Sequence, residues 1–412
     1  MNVVSAGGVI RAIGDLLTAN LPAARVGDGT RIRTALGVLH GRVVAVDNGR
    51  AMIAPFGGLQ GVAVGDRVES SPDALSCVLG YGALGRAFDA AGLPIDRDEP
   101  LRGRRVRVTE RGLIAQRLPV SDPLWTGVRA LDGLLTLGRG SRIGLFGGPG
   151  AGKTTLLETI AQGASSDAVV IALVGERGRE AAGWLRRTNA RTTIVCATAD
   201  RPAPERARAA EVAMAQAVAL REAGLHVLLI LDSLARYATA LREMRSGLGE
   251  PVGRGGYPPS VLAALGGYLE QGGVTAAGSL TIVATVLSDG ADEREPLSDA
   301  ARAALDGHIA LSLDLARAGR FPAIDVLASA SRVLRDVTST EHREAADAVR
   351  AALAILADTR DLRSLGLADK HDPALARALA VEPALNEFLA QRDPTPPRET
   401  LAQLLRLGAV LR

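Results

Sequence analysis

Residues 147–154 read Gly147-Gly148-Pro149-Gly150-Ala151-Gly152-Lys153-Thr154, and they decide the fold. The spacing fits G-x-x-x-x-G-K-[ST], a phosphate-cradling loop. Its surroundings suit that reading. An apolar run, Ile143 to Phe146, leads in as a strand, and Thr155 to Ala161 leads out as a helix. Glycines let backbone N–H groups wrap a phosphate chain without Cβ clashes. The helix N-terminus adds a favourable dipole. Gly148, Pro149, Gly150, Ala151, Gly152, Lys153, Thr154 and Thr155 are therefore expected to hold a nucleotide, ATP, with Lys153 at the β- and γ-phosphates. The Thr154 hydroxyl is expected to ligand Mg²⁺. Of the 48 Lys plus Arg residues only Lys153 and Lys370 are Lys. An Arg-rich sequence that keeps a Lys here is using a compact ammonium where a planar guanidinium fork fits poorly.

Working outward, Val227-Leu-Leu-Ile-Leu-Asp232 is an apolar strand ending in a carboxylate. It is expected to lie beside the loop's strand, with Asp232 in the Mg²⁺ shell. Gly175-Glu-Arg-Gly-Arg-Glu180 follows another apolar run, Val169 to Val174. A carboxylate at the C-terminal end of a parallel strand faces the ligand crevice, and hydrolysis needs a base to polarise water. Glu176 fits that need, although position alone equally allows a solvated network of Glu176, Arg177, Arg179 and Glu180. Ser329-Ala-Ser-Arg332 ends in an arginine that could reach a γ-phosphate from a neighbouring subunit. On spacing alone Arg332 is one arginine among many.

The wider pattern is α/β. Strand-like runs at Arg142 to Phe146, Val169 to Val174, Thr192 to Ala197, Val227 to Leu231 and Leu280 to Val286 alternate with helical stretches at Thr154 to Ala164, Pro204 to Ala223 and Pro259 to Gln271. That alternation reads as a parallel sheet with crossover helices, a RecA-like P-loop core over 93–335. Before it, residues 1–92 read as short strands and turns. Asn48-Gly49 between apolar runs is a hairpin signal. A small β-barrel is expected there, with a β-sandwich as the alternative. After it, 336–412 read as a helical domain: Thr340 to Ala357, Ala374 to Val381, Pro383 to Gln391, then a rigid turn at 392–398 and a last helix.

Bulk properties narrow the class. Apolar residues make up 47% of the 412 and charged residues 23%, as in globular proteins. A net charge of +3 gives no argument for nucleic acid. Cys77 and Cys196 make neither a disulfide framework nor a metal site. No signal peptide is evident, and the apolar runs are far shorter than the ~20 residues of a membrane helix. A cytoplasmic protein with only peripheral membrane contact is expected.

Several uncommon stretches occur together and in order: Leu84-Gly-Arg-Ala-Phe-Asp-Ala-Ala-Gly-Leu-Pro-Ile-Asp96, Trp125-Thr-Gly-Val-Arg-Ala-Leu-Asp-Gly-Leu-Leu-Thr136, Gly175 to Glu180, Asp232-Ser-Leu-Ala-Arg-Tyr237, Gly256-Tyr-Pro-Pro-Ser-Val261, Leu305-Asp-Gly-His-Ile309 and Phe321-Pro-Ala-Ile-Asp-Val-Leu-Ala-Ser-Ala-Ser-Arg332. Over roughly residues 5 to 335 the chain resembles the ATPases of type III protein secretion and flagellar export, relatives of the rotary ATP synthase catalytic subunit. The resemblance implies that Glu176 is the catalytic glutamate, Arg177 its neighbour at the γ-phosphate, Arg332 the arginine finger, and Phe321 the aromatic on adenine. It implies a secretion motor at the inner-membrane base, with stalk or stator proteins, export chaperones and cargo as partners and no nucleic acid. Glu176 and Arg332 in one chain let copies complete each other's sites, so a homohexamer is expected. The Asp-Val-Leu-Ala before Ser-Ala-Ser-Arg leans to the injectisome branch, with the flagellar branch as alternative. A RecA-like helicase or terminator lacks its aromatic and basic face in residues 1–92. The segment Ser364-Leu-Gly-Leu-Ala-Asp369 departs from the family pattern.

Overall fold

A computed structural model describes residues 5–108, 117–287, 296–367 and 371–412. Lys370 and the end of the Ser364–Asp369 segment lie outside the described residues. Six antiparallel strands close a barrel in the order Ala6–Ile13, Leu16–Asn20, Arg50–Pro55, Gly37–Asp47, Gly29–Thr34, Arg67–Ser70. The expected hairpin is present. Asn48 and Gly49 both take positive φ, 46° and 74°, which matches the right-handed twist of the flanking strands. Val9, Leu17, Ile32, Val43, Ile53 and Val68 fill the barrel. Closure pairs every strand on both sides, which a sandwich would not do.

The central sheet runs in the order Ile324–Ser331, Gly307–Leu311, Arg142–Gly147, Ser279–Leu287, His226–Asp232, Ala168–Glu176, Thr192–Thr198, Ala87–Asp89. Along this path only Ile324–Ser331 runs antiparallel to its neighbour. All nine residues of Ala168–Glu176 are buried. Val170, Ala172 and Val174 face one core layer, and Val169, Ile171 and Leu173 face the other. Such two-sided burial is why the run is apolar without alternation. It stabilises the fold by roughly 1.5–3 kcal/mol per large side chain. Ala87–Asp89 adds to the outer edge of this sheet, although a division at residue 92 groups it with the barrel.

Two sequence expectations need correction. The Asp232 strand does not lie beside the loop's strand. Ser279–Leu287 pairs with both and separates them. Helical stretches separated at Pro383 are also one helix, Pro373–Leu389, with Pro383 inside it. Pro removes one backbone donor, but Leu375, Ala378, Val381, Leu385, Phe388 and Leu389 bury a common face across that position. Packing against Thr340–Asp358 and Pro397–Leu411 outweighs the lost hydrogen bond.

The C-terminal helices dock on the core through the turn after Leu389. Arg129 N donates to Gln391 Oε1 at 2.8 Å, and Gln391 N donates to Phe321 O at 2.7 Å. The barrel is clamped to the helix Ala203–Glu222 by a bidentate pair, Arg42 Nη1 and Nη2 to Glu211 at 3.0 Å each.

Candidate active site

The loop at 147–152 joins the strand Arg142–Gly147 to the helix Lys153–Gly163. Gly150 and Gly152 take φ of 84° and 88°, where a side chain would be strained. A Cβ at Gly152 would stand 3.6 Å from the Phe321 ring. Lys153 Nζ donates to the carbonyls of Gly147 and Gly148 at 2.6 and 2.7 Å, which holds the ammonium across the loop. Thr154 and Thr155 occupy the first turn of the helix.

Two neighbouring strands bring carboxylates to the same end of the sheet. Asp232 closes His226–Asp232 and accepts from Thr285 Oγ1 at 2.7 Å. Thr285 stands on the intervening strand, so that strand orients the carboxylate rather than insulating it. Glu176 ends its strand almost fully buried, with Arg236 Nε 3.3 Å from its Oε1. Burial first, then the Asp232 charge, push its carboxyl up to about 8, against the pull of Arg236. Glu180 pushes it the same way. Burial raises Asp232 too, while Thr285, Arg236 and Lys153 draw it down. Buried carboxylates that raise one another's pKa are a mark of proton chemistry.

Oxygen donors from Thr154 and Asp232 suit a hard cation that keeps water and phosphate oxygens in most of its shell, as Mg²⁺ does. Among the described residues no cluster of three or more His, Cys, Asp or Glu could hold a metal on protein ligands alone. The site therefore fits a cation that arrives with the nucleotide.

A cavity of about 280 Å³ opens behind the loop, lined by Val128, Gly152, Thr155, Thr159, Phe321 and Arg392 among others. Phe321 is where the sequence expects the adenine contact. Gln391 and Arg392, which also line it, belong to the C-terminal domain, and no local motif marks them. Arg236, Thr285 and Gln391 are contacts that sequence reasoning missed. Asp232-Ser-Leu-Ala-Arg-Tyr237 did contain Arg236, but only the fold turns it back onto Glu176.

Arg177 is exposed at the start of the helix Gly178–Leu185. Arg332 is exposed and stands apart from its own loop. Ser331 is level with Gly307 and Ile143, and Asp325 with Ala310 and Phe146. Arg332 thus sits at the end of the sheet opposite Gly147, roughly 15 Å away along the strands.

Comparison with known proteins bears on the whole chain. The profile described as ATP synthase alpha/beta family, nucleotide-binding domain, matches residues 127–331, and that of the T3SS EscN ATPase C-terminal domain matches 338–406. The type 3 secretion system ATPase of Sinorhizobium fredii is 41% identical over 94% of this chain and 88% of its own length. The flagellum-specific ATP synthase of Pseudomonas aeruginosa is 37% identical over 93% of this chain and 88% of its own. The assembled ATPase EscN of the enteropathogenic E. coli type III secretion system superposes with a TM-score of 0.90 at 35% identity, covering 98% of this chain and 100% of that one. EscN in complex with its central stalk EscO gives 0.89 at 36% identity over 98% and 100%. Likeness on this scale spans the barrel, the P-loop core and the helical C-terminal domain together, and the chain belongs to the type III secretion ATPases of the ATP synthase alpha/beta family.

Proposed function

We propose that this ATPase works as a homohexameric motor that drives chaperone release, unfolding and export of cargo proteins through a type III secretion apparatus. The observation that carries the catalytic part is the convergence of Lys153, Asp232 and Glu176 at one end of the sheet. The reaction is ATP plus water to ADP and phosphate. The loop's N–H groups and Lys153 hold the phosphates. The base stacks on Phe321. Thr154 and Asp232, oriented by Thr285, would hold Mg²⁺, which supplies charge neutralisation on the phosphates. Glu176 accepts a proton from, and orients, the attacking water, with Arg236 keeping the carboxylate aimed. Arg177 lies beside the γ-phosphate.

Arg332 acts from a neighbouring copy in this reading, because it is remote from its own loop. A ring of identical chains then builds each site from two subunits. Cytoplasmic placement at the base of the apparatus, contact with a stalk protein, and cargo or chaperone binding by the helical domain complete the reading. So does a division of labour among a barrel, a core to about residue 335 and that domain. No described helix is long and apolar enough to cross a membrane. Flagellar export is the second reading, favoured by the 37% identity to the flagellum-specific relative.

The test is ATPase rate against protein concentration for the wild type and Glu176→Gln, with light scattering on the same samples. Specific activity should climb as the hexamer forms and vanish in the variant. Full activity in a monomer would refute the shared site.

A further inference from the structure

The end of the sheet opposite the P-loop carries a chain of contacts that the hydrolysis site does not use. Asp306 precedes the strand Gly307–Leu311. Its carboxylate grips the first residue of the P-loop strand three times. Oδ2 accepts from Arg142 N at 2.8 Å and from Arg142 Nε at 3.0 Å, and Oδ1 accepts from Arg142 Nη2 at 2.9 Å. Arg142 also pairs with Glu270, which Arg117 engages in turn. Asp306 completes the chain through its own backbone, its carbonyl accepting from Arg332 N at 2.9 Å. The peptide that carries Arg332 is thereby hung on a side-chain lock fixed to the P-loop strand.

An edge strand needs such a hold. Among the described residues Ile324–Ser331 pairs with one neighbour only, and its register slips between His308 and Ala310. A strand end held on one side has freedom to fray. An Arg fork closed bidentately on a carboxylate, with a backbone N–H added, resists that freedom through geometry as well as charge. Arg142 is half-buried, and its guanidinium is held firmly charged by Asp306 first and Glu270 after it.

We propose that Asp306 and Arg142 are positioning residues for the arginine finger: their lock sets where Arg332 is presented to the next subunit, while each chain's own nucleotide site is left intact. The inference rests on the reading that Arg332 acts in trans. Both residues sit at the far end of the sheet from the loop, so loss of the lock removes a group from a neighbour's transition state and not from this chain's binding pocket. A displacement of about 1 Å at a catalytic group costs on the order of 10²-fold in rate. Asp306→Asn should therefore lower kcat by about that factor with KM for ATP nearly constant.

Mixing experiments separate positioning from general damage. Asp306→Asn chains retain Glu176, and Glu176→Gln chains retain a properly held finger. Mixed in equal amounts, they should regain activity toward roughly a quarter of wild type, the share of interfaces that join a good site to a good finger. Asp306→Asn mixed with Arg332→Ala should regain none, since both supply only the site. Arg332→Ala mixed with Glu176→Gln is the control. If that control regains nothing, the trans reading fails. If the control recovers but Asp306→Asn with Glu176→Gln does not, while Asp306→Asn still binds a fluorescent ATP analogue, the positioning role is refuted. Should Asp306→Asn fail to fold, Arg142→Lys decides the question, because it keeps the charge and the backbone bond but loses the fork. It should show the same pattern of complementation, and an unchanged kcat for it would overturn the proposal.

Discussion

Arg236 Nε stands 3.3 Å from Glu176 Oε1 and opposes the burial and the Asp232 charge that push this carboxyl up to about 8. A water-orienting base works deprotonated, so kcat/KM should rise with pH and level off above about 8. The apparent value belongs to the interacting carboxylates as a group. Removing the cation in Arg236→Gln favours the neutral form, so the midpoint should move to higher pH. Rate profiles from about pH 5.5 to 10 check this, and an unmoved or lowered midpoint would contradict the assignment.

The same shift makes a stability prediction with a definite sign. Folding raises the Glu176 carboxyl from its ordinary 4.5 to about 8. The folded protein therefore holds a proton that the unfolded chain releases. Stability from this group is full below the unfolded value and is lost as pH rises through about 8. Glu176→Gln, permanently neutral, should raise Tm above about pH 8 relative to wild type and change it little near pH 4.5. Calorimetry at both values decides it. A variant less stable at the higher pH would mean that the carboxylate is stabilised when charged.

Much of this was legible in the sequence because the responsible forces are local. The loop glycines, the apolar strands, and Asn48-Gly49 declare themselves within a few residues. Others were not, because they depend on what the fold brings together. Nothing near Asp232 says that Ser279–Leu287 will insert beside it, since strand order is a matter of crossover choice and not of composition. Pro383 argued locally for a break, and only the shared buried face of Pro373–Leu389 overrules it. Two of the uncommon stretches proved to be structural staples. Arg86 pairs with Asp96 at 2.9 Å within one. In the other, buried Asp132 accepts from Thr126 N, Thr126 Oγ1 and Gly127 N at 2.8, 2.7 and 2.9 Å. The first ties down the outer edge of the sheet and the second folds the turn that brings Val128 to the cavity, roles that spacing alone cannot reveal.

Thr285 is a small side chain with a specific task. Its hydroxyl is the donor that orients Asp232 Oδ1 inside a buried pocket. Thr285→Val keeps the shape and removes the donor. Partners that orient a metal ligand typically change affinity about 10–100-fold. The Mg²⁺ concentration for half-maximal ATPase should rise by about tenfold in this variant, with nucleotide binding in EDTA unchanged. An unaltered Mg²⁺ titration would remove Thr285 from the site.

Phe321 and Gln391 test the base pocket from two sides. Phe321 is 45% exposed, so its loss should leave folding intact. Base stacking on an aromatic is worth ~1–3 kcal/mol, so Phe321→Ala should raise KM for ATP about tenfold with kcat nearly constant. Gln391 is different, because its side chain stitches the C-terminal domain to the core. Its amide donates to Gly127 O and accepts from Arg129 N. Gln391→Ala leaves those partners unsatisfied at a part-buried joint, at about 1–3 kcal/mol. It should therefore lower Tm as well as raise KM. Parallel steady-state kinetics and thermal melts separate the two. If Gln391→Ala alters KM without touching Tm, the residue contacts the base directly and the joint does not depend on it.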